Sequence, residues 1–274
     1  MDMYTQLKTL ANKAADHIIP LQRGTEWNVS TACHALIAAN TGFGKSYFLN
    51  YLLIMFALKG AIIFGADPKR SDFSSLAAFM PPKRIVHETE HIMEMTEKVI
   101  SLMDARYAFM ETERIKRNLF QADFVDFGLP IVFFAIEEVG AFTASLTTKQ
   151  RDKFDVSIKR IVLTGRQAGI CYCQILQNPG VQNAPTEIRS QMGLRIFLGI
   201  GGIEYRMIFG DGFSYPKRKF VPGQGLYTLA GETIAPEFIE TPRLDKTQLA
   251  DCLKRALEPQ FNMTLDCNSR SPPL

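Results

Sequence analysis

Residues 34–58 read HALIAANTGFGKSYFLNYLLIMFAL: an apolar run of strand length, a turn with two glycines, then a helix-length run that is almost wholly apolar. No other stretch constrains the fold as strongly. The turn AANTGFGKS comes close to the phosphate-cradling pattern G-x-x-x-x-G-K-[ST], with Ala39 in place of the first glycine. Between a strand and a helix, such a turn points the backbone N–H groups of Asn40, Thr41, Gly42, Phe43 and Gly44 at the phosphates of a nucleotide. Lys45 then supplies a point charge and the Ser46 hydroxyl a ligand for Mg²⁺. Gly42 and Gly44 suit positions where a side chain would block the approach or where φ must be positive. Ala39 closes the strand, farthest from the phosphates, where a missing glycine costs least. The aromatic Phe43 at the tip is expected to pack against a neighbouring subunit.

The helix-length run 47–58 is too short to span a bilayer and reads as a buried helix of a soluble chain. The first residues lack the apolar core of a signal peptide. Apolar strand candidates recur at 34–40, 60–67, 129–142, 169–177 and 194–200, separated by helical patterns at 71–80, 90–118 and 147–168. Fully apolar strands alternating with helices predict an α/β fold: a largely parallel sheet with helices on both faces. A short strand is expected within 81–88, after Pro81-Pro82. Residues 223–239 read as a C-terminal strand pair around Gly231. Residues 1–19 carry a weak helical period ended by Pro20, and a helix is expected over 246–259, followed by a disordered, proline-ending tail. The expected organisation is a helical segment (1–25), the main domain (26–240), and a helix with tail (241–274).

With 46% hydrophobic and 22% charged residues, the 274-residue chain is ordinary for a globular protein. A net charge of +3 does not by itself imply a nucleic-acid partner. The five cysteines form no CxxC pair, which favours a reducing, cytoplasmic compartment with buried thiols.

A nucleotide site needs a second acid at the end of a neighbouring apolar strand, and IVFFAIEE (131–138) supplies Glu137 and Glu138. Glu137 is read as the residue that contacts Mg²⁺ through water, and Glu138 as the one that orients or deprotonates the attacking water. Gln177 ends the next apolar strand, where an amide can sense a γ-phosphate; the position equally suits a plain surface Gln.

Taken in order, HALIAANTGFGKS, ADPK (66–69), MDARYAFM (103–110), PIVFFAIEE, GRQAGICYCQILQNP (165–179), LRIFL (194–198) and IEYRMIFG (203–210) resemble the motor domain of the FtsK/SpoIIIE DNA translocases and their relatives in conjugative elements. The resemblance runs from about residue 26 to 240. It implies a RecA-like P-loop ATPase that works with ATP and Mg²⁺ as a hexameric ring and moves double-stranded DNA. By the same resemblance Gln177 is the sensor, and Arg166 matches the arginine that reaches into the neighbouring subunit's site; Arg206 also matches a family position. For both arginines a surface salt bridge is the plainer reading. Glu137 stands where the family has Asp, and Asn178 where chromosome translocases usually carry Arg. Neither the N-terminal membrane helices nor the C-terminal winged helix of many members is read here. That favours the branch of conjugative plasmids and transposons, recruited to the membrane by a relaxase or another transfer-machine protein. DNA contacts are expected at phosphates, from the segments 116–128, 147–153 and 214–220, which also suit solvated faces.

Two competing readings come from other classes. HETEH (87–91) is a literal H-E-x-x-H, which on one helix would make a zinc protease with Glu111 in reach as a further ligand. Pro81-Pro82 and Ile85-Val86 argue instead that His87 ends a strand and Thr89 caps the helix that follows. The other alternative is a nucleotide-binding interaction module without turnover, which Glu137 in place of Asp keeps open.

Overall fold

The computed structural model describes residues 1–177, 185–216 and 218–263. Asn178, Lys217 and the tail expected to be disordered lie outside the described residues. The elements are α1 (Met3–Ala11), β1 (Ile18–Gln22), β2 (Thr25–Asn28), β3 (Ala35–Ala39), α2 (Lys45–Leu58), β4 (Ile62–Ala66), a 3₁₀ turn (Asp72–Phe79), β5 (Ile85–Val86), α3 (Thr89–Arg117), β6 (Val132–Glu137), α4 (Val139–Ser145), α5 (Thr148–Thr164), β7 (Ile170–Leu176), α6 (Thr186–Ser190), β8 (Leu194–Leu198), α7 (Ile203–Phe209), β9 (Gln224–Leu229), β10 (Glu237–Glu240) and α8 (Lys246–Leu257).

Every residue of β3, β4, β6 and β7 is buried. These strands have no polar face to give to water, so they occupy the middle of the sheet. The eight-stranded sheet has the order β10-β9-β8-β3-β7-β6-β4-β5. From β8 to β5 all neighbours are parallel, while β9 pairs antiparallel with β8 and β10 with β9. The C-terminal strand pair is thus where the sequence places it, at one edge.

Helix α2 is apolar on every side, with Phe48, Leu49 and the run Tyr51–Ala57 all buried. Such a helix must be enclosed. The sheet covers one side of it, and α1 and α8 pack together on the other. The two terminal segments therefore shield the first helix of the main domain. Gln260, just beyond α8, bonds the backbone of Ala61 and Ile63 at the foot of β4.

Three local expectations are corrected. The helix expected over residues 1–19 stops at Ala11, and Pro20 lies inside β1, in a hairpin with β2 that spans the boundary drawn at residue 25. A two-stranded ribbon tolerates proline, since its missing N–H can face away from the partner. Pro20 also accepts a hydrogen bond from the buried Tyr51 hydroxyl, 2.7 Å. The strand expected over 129–142 ends at Glu137, because Glu138 turns the chain into α4. Thr89 is not the cap of α3; Glu88 occupies that position and Thr89 begins the helix.

Candidate functional site: a phosphate loop facing three carboxylates

The turn between β3 and α2 lies at the C-terminal edge of the parallel strands, where α/β sheets bind their ligands. Gly42 and Gly44 adopt φ of 81° and 91°, which a side chain would strain. Ala39 is buried and still paired with Leu198 of β8, so it belongs to the strand. The loop is braced from both sides. Asn40 N–H donates to Leu198 O (3.0 Å), and Gly223 N–H donates to Phe43 O (3.0 Å). A Cβ at Gly199 would strike Asn40 Oδ1 and lie 3.1 Å from the Phe43 ring. Phe43 is therefore half-buried against its own chain.

Lys45, at 9% exposure, points back across the edge of the sheet. Its ammonium lies 3.1 Å from Glu137 Oε1 and is hydrogen-bonded to Glu138 Oε1. The strand order makes this possible, because only β7 separates β3 from β6. Glu138 has φ 56° and ψ 48°, a left-handed conformation that disfavours any residue with a Cβ. Its N–H donates to Ile175 O (2.8 Å), which holds this corner against β7. Lys69 Nζ lies 3.3 Å from Glu138 Oε2.

A third acid sits behind the pair. Asp67, directly after β4, is fully buried; its Oδ2 accepts hydrogen bonds from Ser71 Oγ, Ser74 N and Ser74 Oγ, each 2.9 Å. Ser71 Oγ also lies 3.0 Å from Glu137 Oε2, so its one proton is shared in turn between the two carboxylates. Asp67 Oδ1 is buried without a hydrogen-bond partner. Two carboxylates thus meet two ammonium groups, and a third, joined to Glu137 through Ser71, keeps one buried oxygen without a donor. The three acids are not arranged to ligate a metal together; the unpartnered Asp67 Oδ1 is a buried anionic oxygen that a water of a hydrated cation would satisfy.

Asp67, Lys69 and Ser71 were not singled out as site residues by sequence reasoning. The signal available was ADPK: Asp67 ends an apolar strand just as Glu137 does.

The remaining candidates separate by edge. Gln177 follows β7 directly and is exposed at the same edge as the loop. Arg206 is exposed on α7. Arg166 precedes β7, at the opposite edge of the sheet, where its guanidinium donates to Ser30 O (3.2 Å). The chain does not bring Arg166 to its own Lys45. The zinc reading fails on geometry: His87 precedes the cap of α3 while His91 lies inside it, so the two share no helical face. Glu88 is engaged by Arg70, and no cluster of three His, Cys, Asp or Glu suited to a metal occurs among the described residues. Cys171 and Cys173 are fully buried, and burial pushes both thiols well above their usual range. Among the described residues no helix is long and apolar enough to cross a membrane.

Sheet order, loop and site edge together define the P-loop ATPase fold, and comparison with known proteins agrees. The FtsK domain-containing protein YdcQ of Bacillus subtilis (strain 168) is 29% identical over 199 residues, 72% of this chain and 41% of that protein. The chain thus spans about two fifths of the length of this curated relative. The pCW3 conjugation coupling protein TcpA, solved as a monomer with ATPγS, matches with a TM-score of 0.68 at 16% identity, over 89% of this chain and 71% of that one. EssC (ATPases 2 and 3) from Geobacillus thermodenitrificans matches with a TM-score of 0.63 at 15% identity, over 91% and 50%. No family model matches the sequence. The resemblance to the FtsK/SpoIIIE motor domain is therefore borne out by a sequence relative, and the α/β P-loop fold by solved structures.

Proposed function

We propose that this chain is an ATPase motor that moves double-stranded DNA as a ring of copies, in the transfer of a conjugative or mobile element. The observation that carries the reading is Lys45, held between Glu137 and Glu138 beside a P-loop whose glycines keep the backbone open to phosphate. A triphosphate on the N–H groups of residues 40–46 competes with these acids for the Lys45 ammonium. Once Lys45 turns to phosphate, Glu138 keeps Lys69 as its partner and is free to orient or deprotonate water. Ser46 and, through water, Glu137 would hold Mg²⁺, which supplies positive charge to the β- and γ-oxygens. Ser71 fixes the second oxygen of Glu137, and Gln177 stands at the edge where loss of the γ-phosphate can be sensed. Arg166 serves the site of the next copy, consistent with its position at the opposite edge of its own sheet.

The DNA reading is supported by the FtsK-domain relative, the conjugation coupling protein and three segments with basic residues. Lys116 and Arg117 end α3, the 147–153 segment opens α5, and Arg218 stacks on Phe220 and Phe238 at 5.3 and 4.6 Å beside the site edge. The motor unit includes α1 and α8, which enclose α2. A cytoplasmic motor recruited to the membrane by a relaxase or another transfer protein fits this assignment.

The test is ATP turnover with and without duplex DNA. Turnover stimulated by duplex DNA and abolished by Lys45→Ala supports the reading. Tight ATP binding without turnover would replace it with a nucleotide-binding interaction module.

A further inference from the structure

The segment that joins β10 to α8 runs along the phosphate loop. Thr241, buried and next after β10, donates its N–H to Gly223 O (2.8 Å). Gly223 in turn donates to Phe43 O (3.0 Å), and a Cβ on Gly44 would lie 3.4 Å from Gly223 N. Five residues beyond Thr241, Lys246 opens α8 with its ammonium 5.4 Å from the centroid of the Tyr47 ring. Tyr47 follows Ser46 directly and is half-buried, whereas Lys246 is exposed. Thus a backbone turn, an aromatic face and a cation line up from Gly44 to Tyr47, beside the loop and away from Glu137 and Glu138. The neighbouring Asp245 carboxylate is engaged by Thr247 and Gln248.

We propose that Tyr47, Lys246 and the Gly223 turn form the nucleoside end of this site; the inference rests on the proposed ATPase function. The loop backbone cradles the α- and β-phosphates and Lys45 reaches the β- and γ-phosphates, so the nucleoside leaves the loop at the end away from the γ-phosphate. At that end the Tyr47 ring offers a stacking face for the base. The Lys246 ammonium, on a flexible and exposed stem, exchanges the ring for the α-phosphate, as a lysine can because it acts as a point charge. The C-terminal helix is then part of nucleotide recognition as well as a cover for α2, and the ligand is a nucleoside triphosphate held at both of its ends.

The test compares calorimetric binding of ATP and of inorganic tripolyphosphate, each with Mg²⁺, to the full chain and to Tyr47→Ala, Tyr47→Phe and Lys246→Ala. Tyr47→Ala and Lys246→Ala are expected to weaken ATP about tenfold, the scale of one lost stacking or charged contact. Tripolyphosphate binding should hold in Tyr47→Ala, and Tyr47→Phe should bind ATP as the unaltered chain does. ATP affinity unchanged in both alanine variants overturns the inference while leaving the ATPase reading intact. Equal weakening of ATP and tripolyphosphate by Tyr47→Ala also overturns it, since that would mean a disturbed loop. If the unaltered chain binds neither ligand, the proposed function falls and takes this inference with it.

Discussion

Glu138 is held in a left-handed backbone conformation, at a cost of about 1–2 kcal/mol that most positions would not tolerate. The return is placement, because that corner turns its carboxylate onto Lys45 and Lys69. Glu137 is one methylene longer than the aspartate expected from the family resemblance, and Ser71 takes up its second oxygen at 3.0 Å. Ser71→Ala should therefore lower kcat about tenfold with little change in KM, the scale seen when a partner of a metal-site carboxylate is removed. Ser71→Thr, which keeps the hydroxyl, should restore the rate; steady-state kinetics of both variants checks this. At the other end of the sheet, His34 is buried with Nδ1 accepting from Tyr172 N–H (3.1 Å), and burial pushes its pKa down to about 4 from 6.5. The unfolded chain then binds a proton more readily than the folded one, so stability falls as pH drops from about 6.5 to about 4. The full effect is about 3 kcal/mol. Denaturant unfolding across that range should show the loss, and His34→Gln should reduce it.

At the scale of elements, the sheet and its helices were legible because apolar runs of strand length have only one stable setting, the middle of a parallel sheet. Glu137 and Glu138 were legible for the same reason, as acids at the end of such a run. Asp67, Lys69 and Ser71 were not, because their meeting with β6 depends on β4 and β6 being neighbours, and strand order is not written in local sequence. The β1–β2 hairpin was missed because Pro20 reads as a helix stop and equally suits a short ribbon. That hairpin protects an edge of the sheet. The Gln22 carboxamide donates to Phe238 O (3.2 Å) and accepts from Glu240 N–H (2.8 Å), so one side chain pairs with β10 as a strand would. Gln22→Ala leaves both backbone groups to water and should cost about 1–2 kcal/mol, a shift of a few degrees in Tm by thermal melting.

At the scale of the whole molecule, the P-loop and Arg166 lie on opposite edges of one sheet, so under the proposed function Arg166 serves the loop of another copy and not its own. Arg166→Ala and Lys45→Ala should each be inactive alone, whereas a mixture of the two should recover part of the ATP turnover. Such recovery needs interfaces that pair an intact loop with an intact arginine. A mixture as inactive as its components would place Arg166 in a surface role at Ser30. The covering of α2 by both chain ends was also illegible in sequence, since an all-apolar helix announces burial without naming what buries it. In the proposed motor, hydrolysis at Lys45, Glu137 and Glu138 moves duplex DNA, and displacement of a triplex-forming strand from a duplex measures that movement directly. The prediction is displacement that requires ATP, is not supported by ATPγS and is lost in Glu138→Gln. ATP turnover without displacement, or displacement that persists in Glu138→Gln, would contradict it.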